Sequence, residues 1–191
     1  MAKRFLEFTA AEVEFLAEDT IITIVPNFQM DMLFFISGTV GPFSPSLPVQ
    51  VPVWLACTLK TRKRCSIQAP EWLDVAYLSA KLDEERMFHD RFIEMPEHFM
   101  EISAMLLECA SDDIRNASQL RGIIEDICEI RYAKARHGLS ILQDNPVATQ
   151  VNNLSLMEIN SIRPFFIHAM NEFRNFAQTL QATRIRANEV P

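Results

Sequence analysis

The stretch 21–72, IITIVPNFQMDMLFFISGTVGPFSPSLPVQVPVWLACTLKTRKRCSIQAPEW, decides how the chain is organised. It holds six of the ten prolines and two of the four glycines, Gly38 and Gly41. Residues 21–25 are mostly β-branched and read as a strand that Pro26 and Asn27 turn. Residues 32–36 read as a second strand. Pro42, Pro45 and Pro48 each fix φ and remove a donor, so 42–48 is expected to be a stiff surface crossing rather than central sheet. Val51, Leu55 and Leu59 recur every four residues and Pro52 suits a first helical turn, which predicts a helix over 52–63. Residues 65–67 read as one further short strand.

Working outward, Thr9 and Glu12 form a capping box that opens a short helix with Val13 and Leu16 on one face. Beyond the stretch the chain reads as helical. Pro70 is expected to start a helix with Trp72, Val75, Leu78 and Leu82 inward and Asp83, Glu84, Glu85 and Arg86 outward. Phe99, Ile102, Leu106 and Cys109 form an apolar stripe at helical spacing. A long helix is predicted from about Ala117 to Leu142, carrying Leu120, Ile124, Ile127, Ile130 and Tyr132, with Asn145 and Pro146 as its stop. A short helix over 154–159 and a separate last helix opened by Pro164 follow, the latter with Phe165, Ala169, Phe173, Phe176 and Leu180. The tail from Thr183 is expected to fray. The fold class expected is α+β, mainly α: a small β-rich domain at 1–69, then a larger helical bundle at 70–191.

Composition narrows the function. At 191 residues, 49% of them hydrophobic, the chain can bury a core. Its net charge of −7 argues against a surface devoted to nucleic acid. The charge is uneven: 1–69 carries six basic and six acidic side chains, so the whole excess lies in 70–191. No apolar run approaches the ~20 residues that a membrane helix needs. Glu7, Glu12 and Glu14 interrupt any signal-like start, so an intracellular protein with reduced cysteines is expected. Cys57, Cys65, Cys109 and Cys128 contain no CxxC pair, and the closest histidines are His89 and His98, so no metal site is expected. No phosphate-binding glycine loop and no local catalytic set is present, and no cofactor is expected.

The candidate functional residues are therefore those of an interface. Lys60, Arg62, Lys63 and Arg64 are four cations within five residues. They read either as a solvated helix end, where cations complement the dipole, or as a contact for nucleic acid or an acidic partner. Trp54 and Trp72 flank them and suit a core or an interface. On the long helix Arg121, Arg131 and Lys134 interleave with Glu125, Asp126 and Glu129, suggesting weak surface pairs Arg121–Glu125 and Asp126–Lys134. If that helix is buried between subunits, such charges would instead fix partner register.

The segments AEVEFLAE (11–18), TIVPNF (23–28), GPFSPSLPVQVPVWLA (41–56), LKTRKRC (59–65), PEWLDV (70–75) and LSLMEIN (154–160) resemble the second-Psf-subunit family of the eukaryotic GINS complex. Asp126, Arg131, Ala133 and Lys134 fit the same pattern. The resemblance spans nearly the whole chain, in order. It implies a heterotetramer of four related subunits, each with a helical A domain and a small β-rich B domain, the B domain coming first in this type. It further implies a nuclear, non-enzymatic scaffold that joins the MCM ring to a RecJ-like partner in the replicative helicase, with ATP hydrolysed by the ring. DNA contact would be indirect, within the assembly, and no membrane is involved. The alternative from the residues alone is a free-standing nucleic-acid-binding protein that uses the cluster at 60–64.

Overall fold

The computed structural model describes residues 8–36, 38–142 and 152–188. The chain runs α1 (Ala10–Ala17), β1 (Ile21–Pro26), β2 (Leu33–Phe35), β3 (Gly38–Val40), β4 (Val49–Pro52), α2 (Val53–Thr61) and β5 (Cys65–Gln68), then α3 (Val75–Met87), α4 (Phe99–Cys109), α5 (Ala117–Leu142) and α6 (Leu156–Asn188). The fold is α+β and mainly helical, and among the described residues its strands all lie between Ile21 and Gln68.

β1 is the middle of an antiparallel sheet ordered β4-β1-β5. Ile22 pairs with Val51 and Ile24 with Ile67. Burial alternates along β1, with Ile22, Ile24 and Pro26 inward, as the period of two requires. Pro26 and Pro52 sit at strand ends, where a missing donor is tolerated. The capping box of α1 forms as expected: the Thr9 amide donates to Glu12 Oε2 at 2.7 Å and the Glu12 amide to Thr9 Oγ1 at 3.2 Å. β4 runs directly into α2. The first free amides of that helix, at Val53 and Trp54, donate to the carbonyls of Thr20 and Glu18, so the α1–β1 turn caps α2.

Several boundaries differ from the sequence expectations. β3 and β4 are additional strands; β3 is a three-residue hairpin arm. Residues 44–47 do cross the surface, but Phe43 is buried and bridges to Met30. Gly41 allows this, since its φ is +107° and a Cβ there would lie 3.2 Å from the Phe43 ring. The helix after Pro70 starts only at Val75, because the Asp74 carboxylate caps it by accepting from the Ala76 amide at 2.9 Å. Leu73, not Trp72, is the fully buried residue of that turn. On α1, Ala17 rather than Leu16 joins Val13 inside, and on α5 Tyr132 is exposed. Glu85, expected outward, is buried.

The C-terminal part departs most. Pro164 does not open a new helix; it lies inside α6, which also continues past Thr183 to Asn188. Pro164 is exposed, and on such a face water can replace the donor it lacks. The side chains of Phe173, Phe176 and Leu180, and the stop expected at Asn145 and Pro146, lie outside the described residues. The core is one continuous cluster. Ile22, Ile24, Val51 and Ile67 from the sheet meet Leu55 of α2, Leu78 of α3, Phe99 and Leu106 of α4, and Leu120 and Ile127 of α5.

Candidate partner interface

The expected interface residues divide into buried cations, a partly buried anchor and exposed groups. Arg131 of α5 is 1% exposed. Its Nε donates to Glu158 Oε1 at 2.6 Å and Nη2 to Glu158 Oε2 at 3.0 Å. Nη1 donates to Glu85 Oε2 at 3.2 Å and to the Ile93 carbonyl at 2.9 Å, and Nη2 also to the Asn153 carbonyl. All five guanidinium hydrogens thus have acceptors within the chain. Lys134, one turn on, donates to Glu85 Oε1 at 2.8 Å and to the Phe88 and Arg91 carbonyls. Glu85 also accepts from the Ile93 amide, and Glu158 from the Ser155 amide.

This hub holds two cations and two carboxylates, so it is neutral as a unit. It ties α3, the segment 88–93, α5 and the start of α6 together. Burial alone would lower the Arg131 pKa; the bonds and charge of Glu158 and Glu85 outweigh it and hold it above its ordinary value. Asp126 pairs with Arg86 of α3 at 3.2 Å, not with Lys134. The Asp126–Lys134 surface pair is therefore corrected: the two cations meet carboxylates from a distant helix. Glu85 and Glu158 were missed as site residues. Ser155 and Glu158 do form a local capping box in the sequence, but its tie to Arg131 is long-range.

The basic cluster splits. Lys60 Nζ lies 2.8 Å from Asp112 Oδ2 and 2.8 Å from Asp113 Oδ1, with its side chain 12% exposed. Asp113 Oδ2 also accepts from the Ile67 amide at 2.6 Å, so Asp113 joins the edge of β5 to the turn after α4. Asp113 is thus a partly buried anchor, whereas Asp112, its side chain 73% exposed, meets Lys60 from the solvent side. Burial would lower the Lys60 pKa, but the two aspartates outweigh it and raise it. Arg62, Lys63 and Arg64 are exposed. Their turn is latched to the loop after β1: the Asn27 amide donates to the Arg64 carbonyl at 2.9 Å, and Asn27 Nδ2 to the Lys63 carbonyl at 3.0 Å. Trp54 is half-buried and meets the Phe35 ring edge-on, centroids 5.2 Å apart. Trp72 is half-buried against the core. Arg121 lines a shallow groove between α4 and α5 with Glu108 and Glu125. The structure therefore does not gather the expected residues into one surface.

Large apolar side chains nonetheless face outward. Phe34 on the β2–β3 hairpin is 81% exposed, with Met32 and Ile36 exposed beside it in sequence. Phe15 and Leu16 of α1 are exposed, as are Phe165, Ile167 and Met170 of α6. Among the described residues, no group of three or more His, Cys, Asp or Glu side chains is placed to hold a metal, and no helix is long and apolar enough to cross a membrane.

Two family models match the chain: the PSF2 N-terminal domain over residues 9–68 and the GINS complex protein helical bundle domain over 72–177. The chain is similar to the DNA replication complex GINS protein PSF2 of Xenopus laevis, 42% identical over 174 residues, covering 90% of this chain and 94% of the relative. It is equally similar to the protein of that name from Homo sapiens, with the same identity and coverage. The psf2 protein of Schizosaccharomyces pombe is 38% identical over 176 residues, covering 92% of this chain and 94% of its own. With both halves of the fold matched in order and identity sustained almost end to end, the chain belongs to the PSF2 family of GINS complex proteins.

Proposed function

We propose that this chain is a non-catalytic scaffold subunit of a GINS heterotetramer in the nucleus, acting in DNA replication. The observation that carries the reading is the set of apolar side chains left outward on three separate elements: Phe15 on α1, Phe34 on the hairpin and Phe165 on α6. A chain with large apolar side chains exposed on three elements fits a subunit held against partners rather than a free monomer. Family membership supports the three other GINS subunits as those partners. The resemblance extends this to a place in the replicative helicase, between the MCM ring and a RecJ-like protein, during initiation and elongation. DNA would be met only in that assembly, with Arg62, Lys63 and Arg64 the exposed cations available to it.

The free-standing nucleic-acid binder draws support from those same three residues. It is weakened because Lys60 is held by two aspartates and neither tryptophan stands free as a stacking platform. Co-expression with the three other GINS subunits, followed by solution mass, tests the proposal. A 1:1:1:1 complex is the expected result. A monodisperse monomer beside an unassociated set would overturn it, and salt-dependent DNA binding by that monomer would favour the alternative.

A further inference from the structure

Cys57 of α2 and Cys109 at the end of α4 are 52 positions apart in sequence, yet their Sγ atoms lie 2.9 Å apart. Both are partly accessible free thiols. Cys109 lines an open groove with Lys60, Lys63 and Asp112, so a small polar oxidant can reach it from solvent. A disulfide needs the sulfurs at about 2 Å, a closure of under ~1 Å from the present contact. We propose that Cys57 and Cys109 form a reversible disulfide in response to a peroxide, locking α2 to α4 and so the strand-rich part of the chain to its helical bundle.

The chemistry balances with hydrogen peroxide as the oxidant. The Cys109 sulfur attacks one peroxide oxygen; an S–O bond forms, the O–O bond breaks and water leaves, giving a sulfenic acid. The Cys57 sulfur then attacks the Cys109 sulfur; an S–S bond forms, the S–O bond breaks, and the departing hydroxide takes the Cys57 proton as water. Two thiols lose two electrons in all and the peroxide gains them. The order of attack follows from access, because Cys109 lines the open groove and Cys57 does not. The contact with Cys57 and the nearby Lys60 also lower the Cys109 pKa, while contact with Cys109 and burial push Cys57 up. Burial pushes Cys65 and Cys128 up to about 11, so neither competes.

The test uses the full chain in the complex with which it co-purifies. It is treated with hydrogen peroxide, alkylated, and mapped by peptide mass without reductant. The expected result is a Cys57–Cys109 linked peptide that dithiothreitol removes, and a melting temperature raised by about 5–10 °C in the oxidised form. Cys128→Ser should leave the link intact, whereas Cys57→Ser should abolish it and leave Cys109 oxidised further, as a sulfinic acid. Four alkylated cysteines after peroxide, or a link through Cys65 or Cys128, would overturn the proposal. The wild-type map decides the matter even if the Cys57 variant fails to fold.

Discussion

Two groups of cations lie in this chain, Arg131 with Lys134 on α5 and Arg62 to Arg64 after α2. The first pair is buried against Glu85 and Glu158 and uses its donors within the chain. The second group stands exposed on a turn that Asn27 holds by its backbone. Lys60 lies between the two extremes, close in sequence to the exposed group but tied to Asp112 and Asp113. Residue type does not separate them; the position of carboxylates far away in sequence does. The buried cations join helices, whereas Arg62, Lys63 and Arg64 stay in solvent.

Substitutions sharpen that contrast. Arg131→Ala should have the largest effect. It leaves Glu85 and Glu158 buried without their partner, which costs about 3–5 kcal/mol in a denaturant titration; an unchanged midpoint would mean that the hub is not buried in solution. Leu55→Ala, in the core below the exposed turn, should cost about 3 kcal/mol by the same measurement. Lys60→Ala should cost about 1 kcal/mol, since Asp112 on one side of the pair is open to water. Its pH dependence has a definite sign. Lys60 is raised above 10.5 and Asp112 lowered below 3.8. The Lys60 contribution is present below 10.5 and fades as pH rises through the raised value. The Asp112 contribution is present above 3.8 and fades as pH falls through the lowered value. The gap between wild type and Lys60→Ala should thus stay level between these limits and narrow outside them. Replacing Arg62, Lys63 and Arg64 together with Ala should change stability by no more than ~0.5 kcal/mol. In the assembled complex the same variant should weaken DNA retention and flatten its salt dependence; identical salt curves would remove DNA from the role of these residues.

Much of this fold was legible because its signals are local. The capping box at Thr9 and Glu12, the alternation in β1 and the stripe Phe99, Ile102, Leu106 each declare an element within a few residues. β4 was hidden because Pro52 suggests a helix start, and only its pairing with β1 shows that Val51 belongs to a strand. Pro164 misled for a related reason, since its exposed face lets the helix tolerate a missing donor. The site was less legible. Arg131 was visible as a notable charge, but its acceptors lie 46 and 27 positions away, and Glu85 sits in an acidic run that resembles a solvated face. Phe165, on the apolar stripe of the last helix, is 55% exposed, and helical spacing alone does not tell an inward stripe from an outward one.

That outward face holds the central claim, and hydrogen–deuterium exchange tests it most directly. The full chain would be compared alone and in the complex co-expressed with the other GINS subunits. New protection on α6 around Phe165 to Met170 and on the exposed elements α1 or β2–β3, with the Arg131 hub protected in both states, is the predicted result. Equal exchange on all three elements in the two states would contradict the account, because those faces would then have no subunit covering them.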